Sequence, residues 1–537
     1  MTKRREVDPQ KLAAALERAR ASLSAEDYEL LKGTADTLAV VTQELERRGA
    51  SIQRLRHMLF GASTEKTEQV LGQDAQAARK AARDACRGDD DHAKRKGHGR
   101  NGAAAYSGAE RVKVPHASLH RGDCCPECQK GKVYPLEKPS LLVRIKGVAP
   151  LSGTVFECDE LRCNLCGEVF TAQAPAGVGE EKYDETATSM IGLVKYGAGV
   201  PFNRLEKLQA GMGIPLPAST QWDLVRDAAE KLAPAHEQMV RQAAQGEVLY
   251  NDDTTMKVLE LTGEQRAAAL ADEASDERTG VFTSGIVSTG DGRKIALFFT
   301  GVQHAGENLA DVLKRRAAEL PKPIQMCDCL PTNTAGEFET LLAACIGHAR
   351  RKYVDVVASF PDEVRFVLEA LREVYKNDAL ARKQGMAPEE RLRFHQTESG
   401  PRMEALETWM TDQFEGRKVE PNSTLGEAIL YMQNHWSRLT LFLRVPGAPL
   451  DNNICERALK KVILHRKNAL FYKTLNGAKV GDVFMSLIHT AELNRVAPFE
   501  YLVALLRHPV EVAASPADWM PWNYQATLAQ PTGAAAP

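Results

Sequence analysis

Three carboxylates stand in settings where a lone carboxylate is costly. Asp252 lies in Val248-Leu-Tyr-Asn-Asp-Asp-Thr-Thr-Met-Lys-Val258, Asp328 in Ile324-Gln-Met-Cys-Asp-Cys329, and Glu456 in Leu450-Asp-Asn-Asn-Ile-Cys-Glu-Arg457. The first two segments read as strands and the third as a helix start. An unpaired buried carboxylate is strongly disfavoured, so each of these needs a counter-charge. Two Asp and one Glu brought together suit a pair of divalent cations, the arrangement used for phosphoryl transfer in nucleases and polymerases. DNA cleavage is therefore the leading expectation.

Parity selects among the acids. On the first strand Val248, Tyr250, Asp252, Thr254, Met256 and Val258 share a face, and Asp253 points the other way. On the later strand Ile324, Met326 and Asp328 share a face. If the strands are neighbours, Asp252 and Asp328 lie side by side and repel unless a cation intervenes. The plainer reading is that each Asp ends a strand and caps a turn. Glu456 has a plain reading too, as the far end of a capping box begun by Asn453.

Four cysteines form a second constellation. Cys125-Pro-Glu-Cys128 and Cys163-Asn-Leu-Cys166 are two Cys-x2-Cys pairs with 34 residues between them (163 − 128 − 1). Such pairs supply four thiolates to a structural Zn2+, with no open position for catalysis. Leu141–Ile145 and Thr154–Phe156 read as strands between them, and Cys124 and Cys158 as bystanders. Residues 450–480 carry seven basic side chains, Arg457, Lys460, Lys461, Arg466, Lys467, Lys473 and Lys479, against Asp451 and Glu456. A helix this basic beside a metal carboxylate makes a phosphate-binding wall; the bland alternative is a solvated face. Its buried face would be Ile454, Cys455, Ala458, Leu459, Val462 and Ile463.

The elements that position these residues fall into several blocks, as 537 residues allow. Residues 1–69 read as a helix. Leu31, Leu38, Leu45, Ile52 and Leu59 recur every seven residues, with Val41 and Leu55 between, although Thr34 and Arg48 interrupt the seam. This suggests a coiled coil and self-association. Residues 70–112 read as a basic flexible linker, with Lys94, Arg95 and Lys96 available to phosphates. The zinc module spans 113–175. Residues 176–245 read as a helix-turn-helix-like DNA-binding region, with helices over 201–210 and 219–232 about Gly211-Met-Gly-Ile214 and an N-cap at Ser219 or Thr220.

From 246 to 355 a strand over Val248–Leu261 precedes a hairpin, Gly280–Ser288 and Lys294–Thr300, about Thr289-Gly-Asp-Gly-Arg293. Helix 305–319, strand 323–329, helix 336–343 and strand 344–348 follow. Three meandering strands and then alternating helices and strands is the ribonuclease H-like order, a mixed sheet with helices on both faces. Residues 356–440 read as a helical insertion with Trp409 and Trp436 in its core. Residues 441–500 return to the catalytic domain with the Glu456 helix, and 501–537 form a C-terminal tail. The fold class expected is thus multidomain α+β: a ribonuclease H-like mixed α/β catalytic domain with a helical insertion, preceded by a coiled-coil helix, a zinc-binding module and a helical DNA-binding region.

Composition is that of a soluble globular chain, 43% hydrophobic and 26% charged. No apolar run reaches membrane-span length, and the N-terminus carries no secretory signal. Eleven cysteines without such a signal imply reduced thiols and metal binding. A net charge of −2 means that any nucleic-acid binding comes from local basic patches.

The chain resembles the insertion-sequence-66 family of bacterial DDE transposases. The matching segments are Asn251-Asp-Asp-Thr254, Gln325-Met-Cys-Asp328, Gly347-His-Ala-Arg-Arg-Lys352, and Asp451-Asn-Asn-x-x-Glu-Arg-Ala-Leu459 followed by Arg466-Lys-Asn468. Leu55-Arg-His-Met-Leu-Phe-Gly61 with Ser63, Glu65 and Lys66, the Cys pairs, Pro201-Phe-Asn-Arg204 and Met520-Pro-Trp-Asn523 also fit. Departures are Asp253 where the family has Glu, and Cys-Leu-Pro after Asp328.

The resemblance implies that Asp252, Asp328 and Glu456 hold two Mg2+ (or Mn2+) ions per active site. It implies cleavage of element ends and joining of the 3′-hydroxyls to target DNA. His348, Arg351 and Lys352 would contact the scissile or flanking phosphates, although His348 also reads as a satisfied core histidine. A homodimer or larger assembly on DNA, small accessory proteins of the same element, and a cytoplasmic, nucleoid-associated location follow from the same resemblance. Two other classes stay open: a ribonuclease H-like nuclease or junction resolvase without strand transfer, and a domesticated, non-catalytic DNA-binding protein.

Overall fold

The computed structural model describes residues 181–262 and 280–529 continuously, shorter stretches between 118 and 175, and Tyr28, Leu31 and Lys32. The described residues fall into two compact units, one within 79–173 plus 209–215 and one within 1–78, 174–208 and 216–537. The smaller unit contains an antiparallel pair, β1 (Glu160–Arg162) and β2 (Val169–Thr171), and an antiparallel bridge between Cys124 and Lys132. Thr154–Phe156, expected as a strand, is irregular, with Val155 and Phe156 exposed and no partner strand among the described residues. Leu141–Ile145, Cys125, Cys128, Cys163, Cys166, Lys94, Arg95, Lys96 and the heptad positions beyond Leu31 lie outside the described residues.

The larger unit begins with α1 (Glu185–Gly192), capped by the Asp184 side chain and continued by a π-turn, Leu193–Gly197. Then come α2 (Phe202–Gly211) and α3 (Ala218–Ala243). The second helix starts at Ala218 after Pro217, whose fixed φ suits a helix entry, so neither Ser219 nor Thr220 is the cap. It also runs on through Pro234 to Ala243, past the expected end at 232. An apolar stripe that includes Val225, Leu232, Met239 and Val240 stays buried along its length, and tertiary packing outweighs the proline.

The sheet has five strands in the order β5-β4-β3-β6-β7. They are β3 (Val248–Thr255), β4 (Phe282–Gly290), β5 (Arg293–Gly301), β6 (Ile324–Cys327) and β7 (Leu341–Ala344). β3, β4 and β5 form an antiparallel meander, whereas β6 and β7 run parallel to β3 and to each other. The β4–β5 turn is Asp291-Gly292, with φ of 49° and 72°, the two positive values of a tight hairpin turn. This mixed sheet with helices packed on it is compatible with the ribonuclease H-like arrangement.

Local boundaries differ from the sequence expectations. β3 stops at Thr255 rather than 261, because the chain turns away to bond Tyr472 through Lys257 O and Leu259 N. The helix α4 (Ala305–Leu313) ends early. Arg316 beyond it turns back to donate to the carbonyls of Ala244 and Gly246. No helix covers 336–343. Buried Gln325 binds Ala335 N and the Thr340 hydroxyl with its Oε1, which shapes a turn leading directly into β7. β7 therefore precedes the expected strand at 344–348, and His348 lies on α5 (Ile346–Asp355).

The insertion comprises α6 (Pro361–Gln384), α7 (Pro388–Glu398), α8 (Gly400–Glu415), α9 (Thr424–Asn434) and the short α10 (Trp436–Leu439). Its apolar residues, including Leu368, Leu406, Met410 and Ile429, share one core with Val248, Ile324, Met326 and Ala343 of the sheet. Trp409 and Trp436 are half-buried at the margin of that core, since smaller aliphatic and Met side chains fill its centre.

After the insertion come α11 (Asn453–Ala469), α12 (Leu475–Leu493), α13 (Pro498–Arg507), α14 (Pro509–Ala514) and α15 (Tyr524–Ala529). α12 covers the free edge of β5. Asp482, Ser486, Thr490 and Asn494, spaced four apart on one face, accept the N–H groups of Thr300, Phe298, Ala296 and Lys294. An edge strand left open would template aggregation, and here side chains replace the missing strand. Burial raises Asp482 to about 7 despite its bonds to Thr300.

Candidate active site

β3 and β6 pair in parallel with Val248 opposite Ile324, Leu249 opposite Gln325 and Tyr250 opposite Met326. Two residues further along each chain stand Asp252, still within β3, and Asp328, just past the end of β6. Burial pushes the Asp252 carboxyl up to about 7, and the charges of Asp328, Asp253 and Glu456 add to the shift.

A buried amide network holds the strand ends. Asn251 Nδ2 and Gln325 Nε2 both donate to Asn333 O at 2.7 Å, and Gln325 Nε2 also donates to Asn251 Oδ1. Asn333 Nδ2 then donates to Asp328 Oδ1 at 2.6 Å, with Leu330 N on the same oxygen at 3.1 Å. Asp328 does cap its turn, but through one oxygen. Asp253 lies on the opposite face of β3, as parity required, and meets His304 Nδ1 at 2.8 Å.

Glu456 arrives on the first turn of α11. The N-cap is Asn452, whose amide donates to Asn251 O, so Asn453 is already helical and no capping box reaches back from Glu456. The helix is seated on the sheet through glycine. Opposite Asp252 stands Gly285, and a Cβ there would lie 3.0 Å from Leu459. Cys455 Sγ donates to Gly285 O at 3.3 Å. Upstream, buried Asp378 pairs with Arg391 and Arg382, and Arg391 donates to Ala448 O, which fixes the approach to α11. Ile454 and Ile463, expected in the buried face of α11, are only half-buried, and His465 takes a buried place instead.

The sequence pattern of the transposase IS66 family matches residues 182–480. The chain belongs to that family. It is also similar to two Sinorhizobium fredii proteins that are themselves described as uncharacterized. One, y4jD, is 27% identical over 383 residues, covering 68% of this chain and 71% of the relative. The other, y4hP, is 26% identical over 352 residues, covering 62% of this chain and 60% of the relative. Membership of the transposase IS66 family supports a transposase role and makes DNA the partner class. No helix among the described residues is long and apolar enough to cross a membrane.

The candidate phosphate contacts of this transposase-family chain divide in two. Arg351 and Lys352 on α5, and Arg457, Lys460 and Lys467 on α11, are exposed, with Lys352 Nζ 4.5 Å from the Tyr431 ring centre. Lys461 is paired to Glu492 at 2.8 Å, and Arg466 binds the Thr254 and Thr255 hydroxyls and Thr255 O, so both are engaged within the fold. His348 Nδ1 stands 3.8 Å from Glu456 Oε1. Cys345 and Asn333 carry no role in the sequence reading, although Cys345-x-x-His348 is visible there as a spacing. Asn251 and Gln325 open two of the segments that carry the resemblance, but their amide roles emerge only when the strands are paired.

Proposed function

We propose that this transposase-family chain binds insertion-sequence ends, cleaves them by metal-dependent hydrolysis, and joins the 3′-hydroxyl ends to target DNA. The observation that supports this reading is the parallel pairing of β3 with β6, which brings Asp252 and Asp328 to adjoining chain positions, with burial and the charge of Asp328, and last that of Glu456, raising the Asp252 carboxyl to about 7. Carboxylates crowded in this way fit divalent cations, which relieve the mutual repulsion. Asp252 and Asp328 would hold the pair of Mg2+ or Mn2+ ions, and Glu456 would complete one site. When bound, such ions activate the attacking oxygen and stabilise the leaving one.

The side chains orient the ions and the phosphate. Asn333 and the Gln325–Asn251 amides keep Asp328 turned to the strand ends, and Asn452 ties α11 to β3. The exposed Arg457, Lys460 and Lys467 supply charge for the DNA backbone without reading sequence.

Asp252→Asn, Asp328→Asn and Glu456→Gln are each expected to lower Mg2+-dependent end cleavage by roughly 10³-fold or more. DNA affinity, which rests on basic groups, is expected to stay within about threefold. Wild-type cleavage in any of the three removes that residue from the site. Asp253→Ala, on the other face, should cleave far better than Asp252→Asn. Incubation of 3′-hydroxyl ends with a target plasmid separates a transposase from a nuclease or resolvase, since only the transposase yields joined products.

A further inference from the structure

Cys345, His348 and Glu456 meet beside the carboxylates. Cys345 closes β7 and caps α5, His348 follows one turn later, and Glu456 projects from α11. One ligand atom from each, a thiol sulfur, an imidazole nitrogen and a carboxylate oxygen, all lie within 4.8 Å of one another. The 3.8 Å from His348 Nδ1 to Glu456 Oε1 is too long for a hydrogen bond. That buried nitrogen has no hydrogen-bond partner, a cost that calls for an explanation. Cys345 Sγ accepts the Asn452 N–H at 3.3 Å, and the His348 N–H bonds the Cys345 carbonyl at 3.2 Å, so the sulfur and the imidazole are held at the same turn. A tetrahedral cation with bonds of about 2.0–2.3 Å needs ligand separations of roughly 3.3–3.8 Å. Side-chain movements of about 1 Å close the set.

We propose that Cys345, His348 and Glu456 form a site for one thiophilic divalent cation of the Zn2+ type, and that its occupancy withdraws Glu456 from Asp252 and Asp328. A thiolate with an imidazole selects Zn2+ over Mg2+. Binding releases the Cys345 thiol proton to water. Burial otherwise keeps this thiol protonated, pushed up to about 12. The withdrawal of Glu456 rests on the reading of that residue as a catalytic ligand; the cation site itself does not.

The test uses the full-length chain, stripped by chelator and dialysed against buffered Zn2+, with zinc per chain measured for wild type, Cys345→Ser and Glu456→Gln. Wild type should hold one zinc more than either variant. Any zinc on Cys125, Cys128, Cys163 and Cys166 cancels in that difference. Equal ratios in all three overturn the site. Glu456 is partly exposed, so its variant keeps the test valid if Cys345→Ser fails to fold.

At fixed Mg2+, added Zn2+ should lower wild-type end cleavage by ~10-fold or more, while Cys345→Ser keeps its Mg2+-dependent cleavage and resists zinc. An extra zinc without inhibition supports the site and overturns the withdrawal. Mg2+-dependent cleavage surviving in Glu456→Gln instead overturns the catalytic reading alone.

Discussion

Asp252 holds its charge against its surroundings, and that has a measurable cost. Its carboxyl is raised from 3.8 to about 7, first by burial and then by Asp328. The folded chain thus binds this proton more tightly than the unfolded chain. The contribution of Asp252 to stability, without divalent cations, falls as pH rises from about 4 through about 7 and then levels off. Asp252→Asn removes the buried charge. In chelator at pH 8 the Asn variant should melt above wild type, and the gap should close near pH 4. Added Mg2+ should raise the wild-type melting temperature at pH 8 and leave the variant nearly unmoved. Thermal unfolding at the two pH values checks both, and equal melting at pH 8 would mean that Asp252 carries no such strain.

At the scale of elements, the distance from α11 to the sheet is set by the missing side chain at Gly285. A Cβ there meets Leu459 at 3.0 Å, tighter than packed side chains tolerate. Gly285→Ala should cost about 1–3 kcal/mol and displace the helix that carries Glu456. Gly301→Ala is the control, because a Cβ at Gly301 meets nothing within 4 Å. Urea unfolding should show a lower midpoint for Gly285→Ala, with end cleavage reduced and DNA binding retained. If Gly285→Ala matches Gly301→Ala in both, helix seating does not govern Glu456. α12 shows the same logic at the sheet edge, where Asp482, Ser486, Thr490 and Asn494 act as one polar ladder rather than as four separate contacts.

For the whole molecule, the proposed cleavage of two element ends calls for chains held together. The heptad spacing from Leu31 to Leu59 predicts a seam for that, beyond the described residues. A charge in such a seam is costly because burial is what stabilises it. Leu45→Glu should therefore lower the mass measured by light scattering, with and without end DNA. It should also reduce coupled-end cleavage more than nicking of a single end. Identical masses under all conditions would make the seam packing within one chain.

Alternation, turn chemistry and charge were legible in the sequence because each is a local property. They sufficed for the Asp291-Gly292 hairpin, for the opposite facing of Asp252 and Asp253, for the strand that leads to Asp328, and for the exposed basic residues of α11. Length and type of the short elements were not legible. Residues 336–343 look helical by composition, yet a buried glutamine on the adjoining strand β6 makes them a turn and a strand. Glu456 fits a capping box on paper, and the Asn452–Asn251 bond moves the cap by one residue. The meeting of Cys345, His348 and Glu456 depends on the bond from Asn452 N–H, at the start of α11, to Cys345 Sγ, 107 positions earlier in the chain. Local pattern selects which residues carry chemistry; long-range packing decides which of them touch.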